Sequence, residues 1–158
     1  MIYPRLAQRM SAGSGIRHSE MNHSTTEPVH FVQMWVAPDE SGIDPGYQQL
    51  EIDDELLRGG LITIASGMPE HADDAAITIR NRYAALRGAR LQPGDTVELP
   101  EAPYLHLFVP RGEVTLEGAG SLHEGDAVRF TASGGQRVTA TEPSEILIWE
   151  MHAGLAAA

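Results

Sequence analysis

The chain contains no cysteine. Disulfides and thiolate metal sites are therefore excluded. Positive charge is also scarce: 11 Lys and Arg stand against 22 Asp and Glu, for a net charge of −11 and a pI near 4.9. A polyanion gains nothing from counterion release on DNA, and anionic membrane surfaces repel it. No apolar run approaches the roughly 18 residues that a bilayer span requires. The opening Met1-Ile2-Tyr3-Pro4-Arg5 lacks the basic stretch and apolar core of a signal peptide. These absences predict a cytoplasmic protein with neither nucleic acid nor membrane as a partner.

Long helical periodicity is missing as well. One short helical stretch is predicted over residues 53–58, acidic at its start and stopped by Gly59-Gly60. What is abundant is turn chemistry, with 16 Gly and 10 Pro in 158 residues. Between the turns lie short segments of strand composition: 28–36, 47–52, 61–65, 77–86, 96–99, 105–109, 113–117, 127–130, 137–140 and 146–150. Many short strands at near-regular spacing predict an all-β sandwich or barrel. Leu91-Gln92-Pro93-Gly94-Asp95 and Leu122-His123-Glu124-Gly125-Asp126 share a Leu-x-x-Gly-Asp pattern, as one turn repeated at two corners of a barrel would. The length suits one well-packed domain plus a fragment and is short for two full barrels.

Chemistry concentrates in residues 9–22. Gly13 and Gly15 permit a tight bend. His18 and Glu20 follow, two residues apart, and on an extended strand such residues share a face. An imidazole beside a carboxylate suits a divalent first-row metal, Fe2+ especially. Taken alone, His-x-Glu is more often two polar residues on a surface strand. Elsewhere, His106 reads as an ordinary strand histidine and His123 as an exposed turn residue. Trp35 and Trp149 read as core, and Arg80, Arg82, Arg87 and Arg90 as solvated charge.

Ser11-Ala12-Gly13-x-Gly15-Ile16-x-His18-Ser19-Glu20-x-Asn22 closely resembles the second metal motif of the pirins. The resemblance continues through 28–36, Pro38-Asp39-Glu40-Ser41-Gly42-Ile43 and Tyr47-Gln48-Gln49, and more loosely beyond. It implies a bicupin: two jelly-roll (double-stranded β-helix) barrels face to face, the first holding iron through three histidines and a glutamate. On that pattern His18 is the third histidine, and Glu20 is the fourth ligand and a candidate catalytic base. The implied activity is a quercetin 2,3-dioxygenase, with O2 and a flavonol-like substrate.

This sequence departs from the pattern in one respect. The family's first two ligands form an upstream His-x-His pair, and no His-x-His occurs in these 158 residues. The expectation is thus a truncated member. Residues 1–58 would be the end of the metal-binding barrel, 61–152 a complete C-terminal cupin barrel and 153–158 a flexible tail. Such a chain would be inactive by itself and would bind Fe2+ or another divalent ion weakly or not at all. Val29, Phe31, Val32, Met34, Trp35 and Val36 would lack partners, which predicts self-association through the open remnant. The rival class is a non-catalytic binding or regulatory cupin acting through protein contacts. A third reading makes the chain a decayed reading frame, or one whose Met1 is an internal methionine of a longer protein.

Overall fold

The structure is a computed structural model that describes residues 3, 5–53, 58 and 60–154. The first two strands, β1 (Leu6–Ser11) and β2 (Gly46–Glu51), form an antiparallel ribbon in which Leu6 faces Glu51 and Ser11 faces Gly46. The other ten are β3 (Ile62–Ser66), β4 (Ile77–Thr78), β5 (Ala84–Leu91), β6 (Thr96–Glu98), β7 (Ala102–Arg111), β8 (Glu113–Leu116), β9 (Gly120–His123), β10 (Ala127–Ser133), β11 (Arg137–Ala140) and β12 (Ser144–Met151). They build a six-stranded sheet in the order β10-β7-β12-β5-β3-β4 and a four-stranded sheet in the order β6-β11-β8-β9. All pairings are antiparallel except β3 with β4. Among the described residues the one short helix is a 3-10 turn at Pro69–His71.

The core follows from period-two alternation. On β7, Leu105, Leu107 and Val109 are at most 1% exposed, while His106 and Phe108 between them are half-buried. On β12, Ile146 and Ile148 face the same interior and Leu147 and Trp149 the opposite side. With Leu91, Val97, Leu99, Val114, Leu116 and Val138 from both sheets they fill one apolar core. Each such aliphatic side chain contributes about 2 kcal/mol on leaving water. The reverse face of the large sheet carries a second cluster, in which Ile52, Ala7 and Val36 pack with Ile62, Ile64, Leu86, Leu147 and Trp149. The N-terminal ribbon is thus seated on the outside of the barrel.

The repeated Leu-x-x-Gly-Asp pattern does make the same turn twice. Asp95 Oδ2 accepts from the Gln92 amide and Asp126 Oδ2 from the His123 amide, each at 2.8 Å. Gly94 and Gly125 take φ of 89° and 91°, where a side chain would be strained.

Several expectations need correction. Residues 28–36 form no strand, and Val29, Phe31 and Trp35 are 56%, 53% and 92% exposed. Trp35 is therefore not core. The segment 77–86 is two strands, separated by a turn in which the Ala84 amide donates to the Asn81 carbonyl. Strands β1 and β9 were not expected. Of the helix predicted over 53–58, only Asp53 and Arg58 lie within the described residues, Arg58 in a single bridge to Arg90. Three of the four arginines read as solvated charge are in ion pairs: Arg82 with Asp39 at 2.7 Å, Arg87 with Glu150 at 2.6 Å and Arg90 with Glu145 at 2.8 Å.

Candidate metal motif and polar cluster

Strand β1 ends at Ser11, and the chain turns at once, with the Gly15 amide donating to the Ala12 carbonyl at 2.8 Å. Gly13 has φ 54°, and a Cβ there would strike the carbonyl oxygen of Ile43. Glycine is required at that position both for its backbone angle and for the close approach of the 43–45 chain. Residues 16–22 then run on without a ladder partner, and His18 and Glu20 are both exposed. Glu20 Oε1 accepts from Gln33 Nε2 at 3.3 Å. Asn22 closes the next turn, its Nδ2 donating to the Glu27 carbonyl at 2.6 Å and its Oδ1 accepting from the Ser24 amide.

Among the described residues, no group of three or more His, Cys, Asp or Glu side chains is gathered as a metal site would gather them. A stable site for a first-row ion takes three or four donors. His18 and Glu20 supply two, in water, on unpaired backbone. The residues present therefore do not fit a complete metal centre.

A second polar cluster, not among the expected sites, lies where β3, β5 and β12 meet the 3-10 turn. Glu150 is 5% exposed and its carboxylate accepts from Arg87 Nε at 2.6 Å and meets His152 Nε2 at 2.8 Å. Burial pushes its pKa up, but hydrogen bonds from His152 and Arg87 and their charges outweigh this, and the pKa ends below the usual carboxylate range. Arg87 Nη2 also faces His71 Nε2 at 3.3 Å, and His71 Nδ1 lies 3.0 Å from Ser66 Oγ. A guanidinium can only donate, so Nε2 of His71 accepts and Nδ1–H points at Ser66. The hydroxyl consequently receives a proton donor instead of a base, which excludes a serine nucleophile here. Arg87 is thus held between one carboxylate and one imidazole, Glu150 and His71, while the second imidazole, His152, meets the other oxygen of Glu150. The sequence signal that could have found this cluster is the buried charge on a core-facing parity: Glu150 follows Ile146 and Ile148 at two-residue steps.

His106 is placed on the outer face of β7 opposite Trp149, with Arg129 of β10 on its other side. Burial, and secondarily the Arg129 charge, lower its pKa below the usual histidine value. His123 is exposed in its turn, as expected, within 3.3 Å of Glu113 Oε2.

The fold is that of the cupins: a β-barrel of two facing sheets with an additional ribbon. It aligns with the crystal structure of the bacterial pirin YhhW from Escherichia coli in complex with nickel(II) at a TM-score of 0.79 and 26% identity, covering 95% of this chain and 62% of that one. The Pirin family profile matches residues 1–36, and the profile described as the quercetinase C-terminal cupin domain matches residues 63–151. The chain belongs to the pirin family. A Mycobacterium tuberculosis relative bearing the name "Putative quercetin 2,3-dioxygenase" is 68% identical over 98% of this chain and 63% of its own length. The Escherichia coli K12 protein named quercetin 2,3-dioxygenase is 30% identical over 91% of this chain and 60% of its own. The chain thus spans somewhat under two thirds of the length of these relatives.

Proposed function

We propose that this chain is a pirin-type cupin related to the metal-dependent flavonol dioxygenases, and that these 158 residues alone do not sustain that activity. The observation that carries the reading is the donor count. The motif His18-Ser19-Glu20 supplies two exposed ligands, no His-x-His occurs in the sequence, and no third donor joins them among the described residues. His18 and Glu20 are the proposed metal ligands and Glu20 the proposed base, once two further donors are provided by other polypeptide. The ion is a divalent first-row metal. Iron is the choice by resemblance, and a related pirin has been crystallised with nickel(II). The substrate proposed is a flavonol, from the names of the relatives. The cytoplasm is the proposed location, in keeping with a cysteine-free chain.

Residues 1–58 are assigned to the end of the metal-binding barrel and 61–152 to a C-terminal barrel. The seating of the β1–β2 ribbon on the large sheet supports that division. Oxygen uptake tests the functional reading. The chain is loaded anaerobically with Fe2+ and mixed with quercetin and O2, with the Escherichia coli relative as positive control. Uptake no greater than that of free Fe2+ is expected. Turnover by the chain that depends on stoichiometric metal contradicts the reading.

A second reading is favoured by the exposed Val29 and Phe31, which no barrel strand covers. In it the chain is a non-catalytic module that associates with a second copy through residues 28–31, each copy covering the other's apolar segment.

A further inference from the structure

We propose that His71 is a proton-operated catch: its neutral ring clips residues 67–76 to the large sheet, and a second proton on that ring in acid releases them together with β4. No metal takes part, and the dioxygenase reading is not needed.

The catch sits where the sheet is least secured by its own ladder. Strand β4 has two residues, lies at the sheet edge and pairs parallel with β3. A parallel neighbour cannot be reached by a tight turn and needs a crossover. Residues 67–76 make that crossover, so their anchorage sets where β4 lies. Met68 is buried, and its amide donates to Ser66 Oγ at 3.0 Å. From there the backbone bonds of His71, Ala72, Asp74 and Ala75 are local, to the carbonyls of Met68, Pro69 and His71. Among the described residues, only the His71 ring supplies side-chain hydrogen bonds from 69–76 to the sheet, to Ser66 on β3 and Arg87 on β5. What the crossover positions is the seat of the N-terminal ribbon. Ile77 and Ile79 are buried in the cluster that holds Ala7 and Ile52, and the Thr78 amide donates to Gln48 Oε1 of β2 at 3.1 Å.

Charge decides how the catch responds. The groups around the ring are Arg87 from β5, Glu150 from β12 and His152 just beyond it, with Glu70, Asp73 and Asp74 on its own segment. Those last three are exposed; they favour a cationic ring but make no contact with it among the described residues. A protonated imidazole carries N–H on both nitrogens. Its Nε2–H would then face the Arg87 guanidinium, now 3.3 Å away, with no acceptor between two cations. Arg87 cannot shed a proton and is pinned to Glu150 at 2.6 Å, so the loop is the part that yields. His152 responds with the opposite sign. A proton there strengthens its 2.8 Å contact with the Glu150 carboxylate, so the end of β12 stays fastened while residues 67–76 let go.

Backbone amide hydrogen exchange of the full chain, corrected for intrinsic rates, tests this at about pH 8 and about pH 5, which bracket ordinary histidine titration. The amides of His71, Ala75 and Thr78 should lose protection in acid by about tenfold or more, the scale of one hydrogen bond to a charged group. Amides of β7 and β12 should keep theirs. His71→Gln, whose side chain takes up no proton, should show equal protection at both pH values, and His152→Gln should retain the loss. Ring-nitrogen NMR at the higher pH should find the His71 proton on Nδ1. Protection independent of pH in the parent, or a loss spread evenly over the barrel, overturns the proposal. So does a loss that survives in His71→Gln or disappears in His152→Gln, or a neutral ring with its proton on Nε2.

Discussion

Glu150 shows at the scale of one residue how charge is kept inside this barrel. A lone carboxylate at that position would be protonated or expelled. Between Arg87 and His152 it stays ionised, with its pKa held below the ordinary value. A group whose pKa falls on folding contributes stability that is present above its unfolded pKa and lost as pH drops through the folded one. Glu150→Gln should therefore destabilise the chain at neutral pH, by about 1–3 kcal/mol for a partly buried, charge-assisted network. In acid, where the parent residue is itself protonated, the difference should vanish. Urea unfolding at neutral pH and in acid checks this; an equal penalty at both contradicts the assigned role. None of the network was legible in the sequence beyond Glu150 itself, because its partners come from β5, the 3-10 turn and the chain end.

Elements defined by local chemistry were readable, and those defined by their surroundings were not. The paired Leu-x-x-Gly-Asp turns are local: the aspartate caps an amide three residues back and the glycine takes positive φ. Gly94→Ala and Gly125→Ala should each cost about 1 kcal/mol or somewhat more, and by similar amounts, since an added Cβ meets open space at both and only the backbone angle resists. Chemical denaturation measures this; a neutral result at either contradicts the shared-turn account. The core strands β7 and β12 were legible because their alternation is written in Leu, Ile and Val. Strand β9 (Gly120-Ser121-Leu122-His123) was not, having one apolar residue and existing as the partner of β8. Residues 28–36 failed the opposite way. Val, Phe, Met and Trp describe a segment fit to pack on a sheet, and strand composition is a statement about packing partners. Here Val36 packs in the apolar cluster on the large sheet and Met34 meets Trp149, while Val29 and Phe31 stay exposed, and no ladder forms among the described residues. Residues 77–86 read as one strand by composition. In fact Asn81 Nδ2 donates to the Ala37 carbonyl, and Arg82 donates to Asp39, bending the chain toward residues 37–39.

The whole molecule combines a well-filled barrel with a sparsely covered N-terminal part. The apolar core lies between the two sheets, the ribbon rests on the large sheet, and Val29 and Phe31 project into water. If a second copy covers them, light scattering at micromolar concentration should give a dimer, and Phe31→Ser should shift it to monomer. A monomer throughout removes that reading. The family was legible from one glycine-bounded motif, and the comparisons bear it out. The competence of the site was a matter of counting donors, and spacing alone could show only two of them. Titration with nickel(II), comparing the parent chain with His18→Ala, tests that count most directly. The account predicts weak, substoichiometric uptake with little difference between the two. One full equivalent held tightly by the parent and released by His18→Ala would contradict it.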